Sequence, residues 1–353
     1  MAEASHLARE YRAAVSRRWY LLALSGGALM SLSLVAITIG PTDLSITEVV
    51  GILLAGPGSD RSAATIVWHI RIPRILTALV VGTSLALAGA VMQSVLDNPL
   101  GSPYTLGISH AAMFGAALSI VAVDATGVLG IAADNPYMVT IAAFLASLLS
   151  AVVILALATY RGASPETMIL TGIALGSLFT AGTTALQYFA SQNELASIVF
   201  WSFGDAGRGN WTKVAIVTAV LAPSIVYFLC NSWTYNALDA GDETARGVGI
   251  DVESARNRGM LVASLITALS VAFVGIVGFV GLVVPHVVRK LVGNNKEFLL
   301  PGSALVGALL LLVSDTAART AFAPTVLPVG IVTSFLGAPF FIYLVIRGRE
   351  YWR

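Results

Sequence analysis

What most constrains this chain is a succession of apolar runs, each about twenty residues long and almost free of charge. They cover residues 20–39, 73–96, 104–122, 138–159, 166–190, 211–230, 258–279, 300–318 and 325–346. A helix needs about 20 apolar residues to cross the hydrocarbon core of a bilayer. Backbone exposed to lipid must also satisfy its hydrogen bonds internally, which favours helices. The runs therefore predict an all-α polytopic membrane protein. Composition agrees, with 57% hydrophobic and 11% charged residues, where soluble domains carry about a quarter charged. A net charge of +1 offers no basic field for nucleic acid. Cys230, the single cysteine, sits in an apolar run and excludes both an internal disulfide and a CxxC site.

Residues 1–19 are polar and mildly basic, and the first apolar run is longer than a signal-peptide core, so 20–39 is read as a first span. Arg17 and Arg18 then serve as flanking charge that orients it. The segment 281–292, GLVVPHVVRKLV, is too short for a clean span, follows Gly275, Gly278 and Gly281, and contains Pro285. It is either the end of one long tilted helix or a short tenth helix after a glycine break. Charge favours the break, giving about ten spans with both termini cytoplasmic. The inner side then collects Arg9, Arg12, Arg17, Arg18, Arg161, Arg246, Arg256, Arg258, Arg289, Lys290, Lys296, Arg347, Arg349 and Arg353. The outer side keeps Arg61, Arg71, Arg74, Arg208, Lys213 and Arg319. The expected organisation is a cytoplasmic segment 1–19, one membrane domain 20–346, and a cytoplasmic tail 347–353.

The span interiors hold few ionisable groups. Ion-coupled carriers place Asp, Glu or His inside the membrane to bind the coupling ion. Here the candidates are Asp315, expected near a span end and one turn from Arg319, and His110 and His286, expected to be packing residues. Paired catalytic groups of an intramembrane enzyme are absent. The only lysines, Lys213, Lys290 and Lys296, follow no glycine, so there is no phosphate-binding G-x-x-x-x-G-K-[ST] loop. Nucleotide-driven transport would need a separate ATPase. The polar loop 238–259 is the largest inner surface available to it, and its composition is open between short surface helices and a plain solvated loop. Glycine pairs such as Gly82 with Gly89, Gly172 with Gly176, and Gly302 with Gly307 fit close helix approach.

RIPR at 71–74, G-x-x-L-A-x-A-G-A-x-x-Q at 82–93, NPLGSPYTLGIS at 98–109, GFVGLVVPHVVR at 278–289, LLPGSALVGALLLLVSDTAAR at 299–319 and LPVGIVTSFLGAPFFIYL at 327–344 resemble the FecCD-type permeases. These are the membrane subunits of type II ABC importers for iron–siderophores, haem and cobalamin. The resemblance runs from about residue 20 to the end of the chain. It implies a ten-helix subunit with inverted repeats in spans 2–5 and 7–10, a homodimer with the pathway on its axis, two cytoplasmic ATPases and one external binding protein. It also implies no cofactor in this chain, ATP-Mg residing in the ATPase. Arg71, Arg74 and Arg319 are then expected to meet glutamates of the binding protein. Asn98 and Leu100, in a turn where Pro99 ends the helix, are expected at the cytoplasmic gate. Asp242, Glu243, Arg246 and Gly249 are expected at the ATPase. Gln93 and His110 are expected to line the pathway, His110 replacing the small residue usual in relatives. Asp205 and Arg208, between Trp201 and Trp211, are expected to add to the outer docking surface. The cargo implied is a bulky metal chelate, iron(III)–siderophore or cobalamin, with haem and molybdate within the same range. An ion-coupled secondary carrier is the alternative of a different class.

Overall fold

The computed structural model describes residues 2–40, 42, 44–57, 62–126, 137–160, 164–323 and 325–347. The positions Arg61, Arg161, Arg349 and Arg353 used for orientation, and the tail beyond residue 347, lie outside these. The helices are α1 (Ala2–Thr38), α2 (Ile46–Ala55), α3 (Ser62–Thr65), α4 (Ile72–Val95), α5 (Ile108–Thr126), α6 (Met138–Tyr160), α7 (Pro165–Phe189) and α8 (Gln192–Ser202). They continue as α9 (Trp211–Cys230), α10 (Ser232–Asp239), α11 (Asp242–Gly247), α12 (Val252–Val274), α13 (Val280–Val292), α14 (Lys296–Thr320) and α15 (Val329–Arg347). No strand occurs among the described residues. Among the described residues, seven stretches are long and apolar enough to cross a membrane: Val15–Thr38, Ser62–Val95, Met138–Tyr160, Pro165–Phe189, Trp211–Cys230, Val252–Val274 and Lys296–Thr320. The remaining expected spans are the shorter α5, α13 and α15.

Local chemistry sets the ends. Ser191 and Glu194 form a capping box at α8, the Glu194 carboxylate accepting from Ser191 N–H at 2.6 Å. Those hydrogen bonds hold the exposed Glu194 carboxyl below its ordinary range. Ser164 caps α7 with Pro165 in its first turn, and Asn295 caps α14.

The central helix is α4, which packs on α14, α12, α13 and α9. Its glycines permit this. A Cβ at Gly82 would run into the carbonyl of Gly307, and one at Gly89 into that of Gly281. With no side chain between them the backbones touch, the usual means of tight packing where lipid offers no hydrophobic drive. Gly172 likewise faces Leu106, and Gly302 faces Val288.

The glycine break is present. α12 ends at Gly275 (φ +91°), and Phe279 (φ +67°) precedes α13. A side chain at Gly275 would be strained in this region of φ. The open backbone is satisfied by the segment after α8: Asp205 N–H donates to Val274 O at 2.9 Å, Gly330 N–H to Gly204 O at 3.1 Å, and Phe203 pairs with Ile276. Irregular backbone inside a membrane protein is tolerated where protein covers it.

Two boundaries differ from the sequence expectation. α1 is continuous through residue 19, so the N-terminal segment and first span form one helix. The RIPR motif does not open its helix either. α3 and a π-helical turn, Ile66–Arg71, precede α4, and α2 folds beside them. Val49, Ile52, Ala64, Val67, Ile75 and Leu312 form one apolar cluster there with Ala36 and Ile37. This cap follows from Ser45 and Glu48, which make a capping box for ten residues too few to register as a span.

Candidate functional site

At the outer end of α4 the three arginines converge, but they turn inward. Arg71 is 3% exposed; its Nη1 donates to Ile37 O at 2.6 Å and Thr38 O at 2.9 Å, and its Nη2 to Thr42 O. Arg319 is 6% exposed and donates to Ile39 O at 3.0 Å and Ala36 O at 3.4 Å. These are carbonyls that the end of α1 leaves without helical partners, and a cation there also complements the helix dipole. Asp315, fully buried, binds Arg74 Nε at 3.0 Å and Nη2 at 2.8 Å, and pairs with Arg319 Nε at 3.2 Å. Arg71 and Arg319 are thus engaged within the chain, by the end of α1 and by Asp315. Pairing of Asp315 with Arg319 is found, in the interior rather than at the surface.

Arg74 keeps a partly open edge and lies 3.5 Å from Asp205. Asp205 also caps the short turn Ala206–Arg208, accepting from Gly207 N–H at 2.8 Å. Arg208 is spent on the carbonyls of Trp201 and Val274, at 3.1 and 3.4 Å. Trp211 donates to Trp68 O at 2.8 Å, tying α9 to the π-helical turn.

At its C-terminal end, expected to face the cytoplasm, α4 stops before Leu96, and Asp97 takes φ +41°. Asn98 N–H returns to Gln93 O at 3.0 Å, and the Asn98 side-chain oxygen accepts from Leu100 N–H at 2.8 Å. The Asn side chain thus builds the turn itself, while Leu100 is 41% exposed. Gln93, expected along the pathway, makes its contacts inside the chain. It is buried, donates to Leu282 O at 3.3 Å and accepts from Arg289 Nη2 at 3.0 Å. Its position on the α13 side of α4 gives it these partners.

Beyond the turn, the segment 102–107 separates two cavities. One, of about 560 Å³, lies among Ser102, Phe203, Gly278, Phe279, Ile331 and Ser334. The other, of about 810 Å³, lies between the start of α5 and α7, against Gly107, His110, Gly176, Thr180 and Thr184. Tyr104 and Thr105 border both. His110 packs on Tyr104 with ring centroids 4.9 Å apart, and its Nδ1 has no hydrogen-bond partner among the described residues. Thr180 and Thr184 satisfy their hydroxyls on carbonyls four residues back, at 2.8 and 3.0 Å. Tyr104, Thr180 and Thr184 escaped the sequence reading. The four-residue spacing of Gly172, Gly176, Thr180 and Thr184, one small or hydroxyl stripe on a helix, was the available signal.

The inner loop forms the short helices α10 and α11 rather than an irregular strand of chain. Glu243, Arg246, Val248 and Gly249 are exposed, and Gly249 holds φ +86°. The Asp242 carboxylate, 34% exposed, is engaged by the buried Arg256, at 2.9 and 2.7 Å.

The described residues thus form a bundle of apolar helices, several long enough to cross a membrane, with two cavities beside residues 102–107 and an exposed loop at α10–α11. The model of the FecCD transport family matches residues 28–347, and the chain belongs to that family. It is 53% identical over 320 residues to a protein of Methanocaldococcus jannaschii assigned as an ABC transporter permease, covering 89% of this chain and 90% of that one. It is 38% identical over 296 residues to the hemin transport system permease protein HmuU of Yersinia pestis, covering 82% and 87%. A solved inward-facing structure assigned to a metal-chelate type ABC transporter superposes with a TM-score of 0.81 at 30% identity, over 93% of this chain and 99% of that one. The chain is therefore the permease of a type II ABC importer, a transport subunit rather than an enzyme, and ATP is hydrolysed by separate subunits.

Proposed function

We propose that the chain translocates a bulky metal chelate of the iron(III)–siderophore or cobalamin class, received at the outer face from a substrate-binding protein. The observation that carries this reading is the pair of cavities meeting at Tyr104 and Thr105. Their size lies in the range of about 300–1,000 Å³ that suits organic ligands rather than bare ions. Their lining is apolar with scattered hydroxyls and no carboxylate, so a passing chelate finds contact without a tight trap.

A second copy of the chain closes the larger cavity. Only 17% of the α7 span is buried, against 78% of the span ending in α4. A polar His110 opening toward lipid is costly, whereas a water-filled axis between two copies accommodates it. The subunit sits in the cell (inner) membrane with both termini cytoplasmic, residues 20–346 forming one permease domain. Arg74 and Asp205 form the outer docking edge, Arg71 and Arg319 shaping it from beneath. Asn98 and Leu100 close the inner end. Glu243, Arg246 and Gly249 meet two ATPase subunits that bind ATP-Mg; this chain holds no cofactor.

The test is uptake into vesicles holding the permease with its ATPase and binding protein, offering an iron(III)–siderophore, cobalamin, haem and molybdate in parallel. ATP-dependent uptake of one of the first two is expected. Proton- or sodium-driven uptake by the permease alone refutes the reading, and exclusive uptake of haem or molybdate moves the cargo within the family.

A further inference from the structure

The inner end of α4 is tied to the α10–α11 loop by two polar routes that start two residues apart and end three residues apart. In the first, Arg256 Nε donates to Val95 O at 2.8 Å while its two terminal nitrogens grip Asp242, the first residue of α11. In the second, Arg289 Nη2 donates to Gln93 Oε1 at 3.0 Å and Arg289 Nε to Asn294 Oδ1 at 2.9 Å. Asn294 in turn donates to Asp239, the last residue of α10, at 2.8 Å. Lys296, 1% exposed, adds an ion pair to Asp239 at 2.6 Å.

Both routes pass through a guanidinium. Its planar, rigid fork holds direction as well as distance, unlike a lysine ammonium. Arg256 is buried, so its pairing is poorly screened by water. Loop residues Glu243, Thr244 and Arg246–Gly249 lie outside the grip and exposed, and the turn Asn98–Leu100 lies immediately past the tied end of α4.

We propose that Arg256 and Arg289 are positioning residues that lock the α10–α11 loop to the inner end of α4, so that displacement of the loop by the ATPase is delivered to the Asn98–Leu100 turn. This rests on the loop being the ATPase's binding surface. That reading fails separately if the ATPase does not bind the chain, or binds Arg246→Glu as well as the native one.

The test uses the full chain assembled with its ATPase in vesicles, in a Cys230→Ser background that leaves no native thiol to label. A spin label at Leu100→Cys reports the turn, and a second at Val248→Cys reports the loop. With native Arg256, ATP-Mg is expected to change the solvent access of the Leu100 label while the Leu100–Val248 distance stays constant. In Arg256→Gln, ATPase binding and hydrolysis are expected to persist, while the fraction of Leu100 label that responds to ATP falls by about tenfold. A general loss of folded protein would lower hydrolysis and response together. The proposal is overturned if Arg256→Gln keeps the full response, if Leu100 is silent to ATP with native Arg256, or if the Leu100–Val248 distance changes as the loop moves. Should Arg256→Gln not fold, the distance measured with native Arg256 decides alone.

Discussion

Arginines from neighbouring elements gather at both ends of α4, yet they end on different kinds of acceptor. Outside, Arg71 and Arg319 terminate on main-chain carbonyls of α1, and Arg74 and Arg319 share Asp315, which is fully buried. Inside, Arg256 and Arg289 lead to Asp242 and Asp239, whose side chains are 34% and 18% exposed on a surface loop. Helix-end carbonyls belong to the scaffold and cannot move without unwinding it. Loop carboxylates can move with whatever docks on them. The same side chain thus makes a fixed joint at one end of the helix and a movable one at the other.

The largest expected effect breaks the outer joint. Asp315→Asn leaves Arg74 and Arg319 without their shared counter-charge, and removing one partner of a buried pair costs about 3–5 kcal/mol. A large fall in the unfolding midpoint of the detergent-purified chain is expected. An unmoved midpoint would show that the outer cluster does not hold the fold.

Next comes the waist between the two ends. Gly89→Val places a side chain against the carbonyl of Gly281, and overpacking of this kind costs about 1–3 kcal/mol. Expression level and midpoint should both drop. Gly247→Ala, where no atom lies near, should behave like the native chain. Equal behaviour of the two variants would remove backbone contact as the reason for the glycines.

The smallest effect on stability, and the sharpest on function, is expected at the exposed inner surface. Arg246→Glu should leave the midpoint within about 0.5 kcal/mol of native, as exposed substitutions usually do, while ATPase association measured by co-purification weakens. A midpoint shift comparable to that of Asp315→Asn would erase the contrast between fixed and movable ends.

Much of this was legible beforehand. The apolar runs, the glycine break before α13 and the Asn98–Pro99 stop depend on local chemistry, and each is found within a few residues of its expected place, apart from the longer first helix and the turns ahead of α4. The region 40–72 was not legible. α2 and the π-helical turn are too short to register as spans, and the turn ends on Arg71, which it delivers to the carbonyls of Ile37, Thr38 and Thr42. The partners of Gln93 and Asp242 were hidden for another reason. Each depends on an arginine distant in sequence, Arg289 and Arg256, and nothing in the spacing links them.

The sequence alone determined that the chain is a set of membrane helices without an internal energy source, because apolar length and the absence of a phosphate loop are read residue by residue. Which charges face a partner and which are consumed within the fold was decided only by the tertiary structure. A guanidinium reaches whatever acceptor packing brings within about 3 Å, and the outer carbonyls of α1 and the buried Asp315 arrive there only when helices far apart in the chain come together.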